Sequence, residues 1–168
     1  MRMYKDKNTG SEIFTDIYKM DVIDDVIYEI EGKNISRAID ASNVDIGANA
    51  SQEEAAEDLE TASESGPNFV LNCRLRQMKT KLSKKEYATY MKPYLKSLSL
   101  DSEKQAKVTE YMKKVLSKFK EFDQYMAGED YMDPSDNKLP MVLLVNYRDE
   151  TDNPYMICFK DGLVEEKL

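Results

Sequence analysis

A chain of 168 residues, 41% hydrophobic and 33% charged, is long enough for one domain with a sizeable core and reads as a globular protein with solvated segments. Its net charge of −8 comes with no histidine at all, which excludes Ser-His and Cys-His nucleophile pairs and any zinc site built on imidazole. Metal chemistry is left to hard cations held by oxygen. No run reaches the ~18 apolar residues of a membrane span, and the first residues lack the apolar stretch of a signal peptide, so no membrane contact and a cytoplasmic location are expected.

From the N-terminus, Asp16 to Met20 and Val26 to Ile30 alternate with period two and are rich in β-branched and aromatic residues, predicting half-buried strands. Asp40 to Gly66 holds eight acids and almost no large apolar side chain. Such a stretch buries too little to offset its ordering entropy, so a mobile acidic loop is predicted over about 41–66. Gly47 and Asn49 suit a fixed first turn within it. Asn68 to Leu75 reads as a further strand.

Ser83 followed by Glu86 is a capping box, and Leu82 with Tyr87 a hydrophobic staple. Tyr87, Tyr90, Met91, Tyr94, Leu95 and Leu98 then mark one apolar face of a helix, with Pro93 predicting a kink near Thr89. After a short connection at Ser99 to Asp101, Val108, Tyr111, Met112, Val115, Leu116, Phe119, Phe122 and Met126 predict a second helix that stops at Gly128. The pair should pack as an antiparallel hairpin over about 82–127. It is strongly basic: Lys79 to Lys120 holds twelve lysines against Glu86, Asp101, Glu103 and Glu110, a balance of +8 that leaves −16 to the rest.

Met141 to Tyr147 and Tyr155 to Lys160 predict a terminal β-hairpin across the turn-rich stretch 148–154. Asp161-Gly162 has type I′ turn chemistry, and Tyr155, Ile157 and Phe159 should share one strand face. Cys73 and Cys158, both placed in strands, read as small hydrophobes kept reduced. The fold class is α+β: an antiparallel body over 1–40, 67–78 and 128–168, a helical hairpin, and the acidic loop, all in one domain of residues 1–168.

Four segments in fixed order resemble the translationally controlled tumour protein family over nearly the whole chain. They are Met1 to Asp6, Ile46 to Glu54 (with Ile46, Gly47, Asn49, Ser51 and Glu53), Met126-Ala127-Gly128-Glu129, and Pro154 to Leu163. The resemblance implies a β-tent body, related to Rab-interacting nucleotide-release proteins, with a projecting helical hairpin. The connection between the two helices here is shorter than is usual in that family, which bears on any function of the hairpin tip.

The resemblance also implies partners. Glu12, in Ser11 to Tyr18, matches the segment where an exposed acid is proposed to meet a Ras-like small GTPase; an acid there can compete with phosphate for a lysine or Mg²⁺. Without the family, it is a solvated loop carboxylate. The family further implies microtubule association through the basic hairpin, for which Lys84, Lys85, Lys92, Lys96, Lys113 and Lys114 are the candidates, since a cationic face attracts acidic tubulin tails. Read alone, these lysines are the solvated face of an amphipathic pair.

Association with elongation-factor subunits and weak calcium binding complete what the family implies. No EF-hand pattern is present. The oxygen-rich candidates are Asp45 with Asn49, and Glu129 with Asp130 and Asp133. No cofactor is required, nucleic acid is not expected beside an acidic body without stacking aromatics among the lysines, and a monomer is expected. No spacing singles out a carboxylate pair, so no catalytic residue is assigned and an enzyme is not expected.

Overall fold

The computed structural model describes residues 1–38, 63–128 and 139–168. Eleven strands are described: β1 (Arg2–Asp6), β2 (Glu12–Thr15), β3 (Lys19–Ile23), β4 (Ile27–Glu31), β5 (Asn34–Ala38), β6 (Ser63–Pro67), β7 (Arg76–Gln77), β8 (Asp123–Met126), β9 (Leu143–Tyr147), β10 (Pro154–Phe159) and β11 (Leu163–Lys167). Three helices accompany them: α1 (Asn68–Asn72), α2 (Lys84–Ser97) and α3 (Ser102–Ser117). The strands form a six-stranded sheet in the order β3-β4-β10-β9-β8-β7, a three-stranded sheet β11-β1-β2, and the pair β5-β6, every ladder antiparallel. The α+β class with mainly antiparallel sheets is therefore as expected.

The β9–β10 hairpin forms as predicted, with Met156 opposite Val145 and Ile157 opposite Leu144. Strand β10 is central, and Met156, Ile157, Cys158 and Phe159 are all buried, so both of its faces are covered. The expected one-faced alternation through Tyr155, Ile157 and Phe159 is lost for that reason. Asp161-Gly162 is not a type I′ turn. Residues 160–162 form a 3₁₀ turn in which Gly162 has no positive φ, because the chain is leaving one sheet for another rather than folding back on β10.

The helix α2 begins as predicted: Ser83 Oγ accepts from the Glu86 N–H at 3.1 Å and Glu86 Oε1 accepts from the Ser83 N–H at 2.9 Å. Replacing Ser83 with alanine removes one half of this reciprocal cap and is expected to destabilise the fold by about 1 kcal/mol, read as a lower urea midpoint at unchanged slope. Helix α2 runs unbroken through Pro93, leaving the Thr89 carbonyl without its helical donor. Tyr87, Tyr90, Met91, Tyr94 and Leu98 are buried, as are Val108, Met112 and Val115 of α3. The connection is a tight turn with Ser99 at φ 54°, and α3 starts at an Asp101 cap that accepts from the Lys104 N–H at 2.8 Å.

The hairpin is fastened to the six-stranded sheet by its buried faces. The Tyr94 ring lies 5.7 Å from Phe159 of β10, and the Tyr111 hydroxyl donates to Glu29 of β4 at 2.6 Å. At the hairpin's base, Tyr87 and Phe119 rings are 5.0 Å apart.

Four predicted elements are corrected. The second helix ends at Ser117, not Met126; a 3₁₀ turn follows, and Asp123–Met126 is strand β8 between β7 and β9. The spacing of four from Phe122 to Met126 is in phase with both the helical and the strand period, so the apolar pattern could not separate them. Gln124 settles it: the side chain is 2% exposed, and its amide pairs in both directions with the Leu82 backbone at 2.9 Å. Gly128, with φ 80°, therefore follows a strand rather than stopping a helix.

Asn68 to Leu75 opens as the short helix α1, with Pro67 at its N-cap position and Phe69 and Val70 both buried. Gly32 permits the approach: a Cβ there would collide with Asn68 Oδ1 and stand 2.7 Å from Phe69 Cδ2. Asp16 to Met20 is not one strand; a turn at 16–18 separates β2 from β3. The end of the predicted acidic loop, 63–66, is strand, with Arg37 paired to Glu64 at 2.9 Å across β5-β6. The rest of that predicted loop lies outside the described residues.

Candidate functional site

Strand β2 leaves Glu12 exposed at its start, opposite Lys5 of β1, and forms no ion pair with any described residue; Lys5 pairs with Glu166 instead. Beside Glu12 lies a groove of about 390 Å³ between the β1–β2 face and the end of α1. Met1, Met3, Ile17, Cys73 and Arg74 are among its walls. Tyr18 forms part of its floor, its hydroxyl accepting from Asn72 Nδ2 at 3.2 Å and its ring edge-on to Phe69 at 6.2 Å. Ile17 is 64% exposed. Sequence reasoning found Glu12 but missed this apolar surround, because Ile17 sits in a segment whose alternation reads as half-buried strand.

Gly128 joins the same neighbourhood. A Cβ at this left-handed position would stand 2.6 Å from Ser11 Oγ, so the glycine lets the end of β8 lie against the residue before Glu12. The other family-signature residues, Ile46, Gly47, Asn49, Ser51, Glu53 and Glu129, lie outside the described residues. So do the calcium candidates Asp45, Asn49, Glu129, Asp130 and Asp133; among the described residues no group of three or more metal-ligating side chains converges.

The hairpin lysines are arranged by its antiparallel geometry. Lys84 and Lys85 start α2, Lys113 and Lys114 lie in the last turns of α3 at the same end, and Lys92 and Lys96 continue toward the tip. All six are exposed, and none forms an ion pair among the described residues. Lys104 and Lys107 differ: Lys104 reaches Asp161 at 3.3 Å and Lys107 reaches Glu103 at 3.5 Å.

A third cluster was not legible beforehand. Arg148 stacks 4.0 Å over the Tyr155 ring and bonds Glu29 at 2.9 Å and Glu31 at 3.2 Å. Tyr111 brings α3 into the network, and burial, then the Glu29 hydrogen bond, push its phenol far above the ordinary range. This group ties hairpin to sheet and carries no reactive nucleophile.

Both cysteines are free. Cys158 is fully buried and burial pushes its thiol up, while Cys73 is only partly buried. A thiolate is the reactive species, and neither environment favours it. No helix among the described residues is long and apolar enough to cross a membrane.

Comparison with known proteins places these features in context. The family profile described as translationally controlled tumour protein matches residues 1–164. A translationally-controlled tumor protein homolog of Schizosaccharomyces pombe is 39% identical over 177 residues, covering all of both chains. That of Drosophila melanogaster is 42% identical over 178 residues, covering 99% of each. Among solved structures, the translationally controlled tumor-associated protein p23fyp from S. pombe superposes with a TM-score of 0.74 at 37% identity over the full length of both. The translationally-controlled tumor protein of Caenorhabditis elegans gives 0.65 at 26% identity, over all of this chain and 99% of the other.

Proposed function

The chain belongs to the translationally controlled tumour protein family, and from that premise we propose that it works by binding, as a cytoplasmic interaction protein whose basic hairpin associates with acidic partners, tubulin tails foremost. The supporting observation is that Lys84, Lys85, Lys92, Lys96, Lys113 and Lys114 are all exposed and unpaired among the described residues. Free ammonium groups on a rigid αα-hairpin create a cationic field that steers an acidic chain and is screened by salt. Association with elongation-factor subunits and weakly held calcium belong to the same reading.

Cosedimentation with microtubules tests it. Affinity is expected to fall by about tenfold between low and near-molar salt, and by a similar factor when Lys84, Lys85, Lys113 and Lys114 are all changed to glutamate. Binding that ignores both salt and the charge reversal would refute the hairpin assignment.

A second reading, regulation of guanine-nucleotide release from a Ras-like small GTPase, is favoured by Glu12. This carboxylate is exposed, unpaired among the described residues and set at the rim of a groove, where it can reach a lysine or Mg²⁺ of a docked nucleotide site. Release of a fluorescent guanine nucleotide, accelerated by the wild type and not by Glu12→Ala, would support it. Equal release with both proteins would remove Glu12 from the mechanism.

A further inference from the structure

The hairpin's charge is not spread evenly along its length. Phe119 brings the end of α3 against Tyr87 at the start of α2, their rings 5.0 Å apart, and Lys81 Nζ donates to the Lys120 carbonyl at 3.5 Å. The base of the hairpin therefore gathers Lys81, Lys84, Lys85, Lys114, Lys118 and Lys120, all exposed and in no ion pair among the described residues. The acids at this end are Glu86, Glu121 and Asp123, so six positive charges face three negative ones. Farther along α3 the lysines are instead paired, Lys104 with Asp161 and Lys107 with Glu103.

Three exposed hydroxyls lie in this basic end, at Thr80, Ser83 and Ser117, and each has lysine neighbours in the chain. The sequence pattern does not choose among them, but the structure does. Ser117 is the last residue of α3, and its Oγ donates to the Lys114 carbonyl at 2.6 Å. A negative group added there faces the negative end of the helix. Thr80 lies three residues before the α2 cap, away from the N–H groups that open that helix. Ser83 differs from both. Its backbone is extended, φ −75° and ψ 167°, with Lys81 two residues before it and Lys84 and Lys85 directly after it. Gln124 bonds both the N–H and the carbonyl of Leu82 at 2.9 Å, which presents the next residue at a fixed place on the surface.

We propose that Ser83 is a phosphorylation site for a protein kinase that selects basic flanking residues, and that its phosphate turns down the hairpin's attraction for acidic partners. The second half rests on the basic-hairpin reading above and adds its regulation. In the transfer, Ser83 Oγ attacks the γ-phosphorus of a nucleoside triphosphate; the new O–P bond forms, the bridging P–O bond breaks, the diphosphate leaves and the hydroxyl proton passes to the kinase's base. Charge patterning around the acceptor is a common basis of kinase selection. Phosphoserine carries about −1.5 to −2 charges at neutral pH, enough to cancel at least half of the excess of three positive charges counted above. The phosphate also faces the Lys85 and Glu86 N–H groups of the first turn, so it can keep the cap while repelling the Glu86 carboxylate.

The full chain, incubated with Mg-ATP and each of a panel of basic-directed serine kinases, is expected to take up one phosphate, placed at Ser83 by peptide mass mapping. Ser83→Asn keeps a capping side chain and should take up none. Binding is then read on two probes at low salt, immobilised poly-glutamate and microtubules. Phosphorylation should weaken both by about fivefold or more, Ser83→Asp by less, and Ser83→Asn should bind as the unmodified chain does.

A phosphate that maps to Thr80 or Ser117, or no uptake with any of the kinases, overturns the site. Uptake at Ser83 with affinity for poly-glutamate within about twofold of the unmodified chain overturns the regulation. Thermal melting of the phosphorylated chain should be no lower than that of the unmodified one; a large drop would make lost binding a loss of fold and overturn it equally. If poly-glutamate binds and responds to the phosphate while microtubules do not bind at all, the tubulin reading falls and the Ser83 switch stands. If the unmodified chain binds neither probe, both fall.

Discussion

Replacing Phe69 with alanine is expected to lower the unfolding free energy by about 3–5 kcal/mol, the range for emptying a fully buried aromatic site. The ring is 0% exposed, packs edge-on to Tyr18 at 6.2 Å, and fits against Gly32, where even a Cβ would intrude. The surroundings cannot collapse into the gap, because the ring joins α1 to the turn after β2 and to the end of β4. Against a typical total of about 5–15 kcal/mol, a loss of this size removes a large fraction of the stability. Urea unfolding followed by circular dichroism should show a much lower midpoint at unchanged slope. A loss below about 1 kcal/mol would mean that the Phe69 ring does not anchor α1 in the core.

Asp6 carries the second large effect. The residue is 3% exposed; Oδ2 accepts from the Met141 N–H at 2.8 Å and Oδ1 from the Asn8 N–H at 2.8 Å. Asn8 in turn donates to the Leu139 carbonyl at 2.9 Å and to Ser97 Oγ at 3.2 Å. The β1–β2 turn thereby fastens the end of α2 and the approach to β9 in one polar knot. Asp6→Ala leaves the Met141 and Asn8 amides without their acceptor and is expected to cost about 3 kcal/mol.

The knot also has a pH signature. Burial raises the Asp6 carboxyl above its ordinary value, outweighing the amide hydrogen bonds from Met141 and Asn8 that lower it. A group whose folded value is raised contributes stability that is complete below its unfolded value, near pH 4, and that is lost as pH rises through the folded value. In Asp6→Asn, which cannot titrate, that loss disappears. The stability difference between wild type and Asp6→Asn should therefore be larger near pH 4 than near pH 7 in urea melts at the two pH values. A difference that instead grows toward neutral pH would show that the carboxylate form is the one the knot prefers.

Much of the helical hairpin was legible in the sequence because its determinants are local. A capping box spans four residues, and an apolar face repeats along one helix, so Ser83, Glu86, Tyr87, Tyr90, Met91 and Tyr94 were placed without any tertiary information. The β9–β10 hairpin was legible for the same reason, being two apolar runs joined by a turn-rich link. Of the candidate site, only Glu12 and the lysines could be named, and Glu12 only through the resemblance, since an exposed acid carries no periodic signal.

By itself, then, the chain's sequence determined the class, the family, the helix starts and the division into an acidic body and a basic arm, all of which follow from composition, spacing or motif order. Only the tertiary structure decided whether 123–126 would be helix or strand, since Phe122 and Met126 satisfy either period and the choice fell to Gln124 pairing with Leu82 and to the open edge of β9. It alone set α1 close against Gly32, buried Asp6 within reach of Met141, and brought Ile17 and Arg74 to the groove beside Glu12. Each of these depends on groups far apart in the chain meeting in one place, and local pattern carries no term for such a meeting.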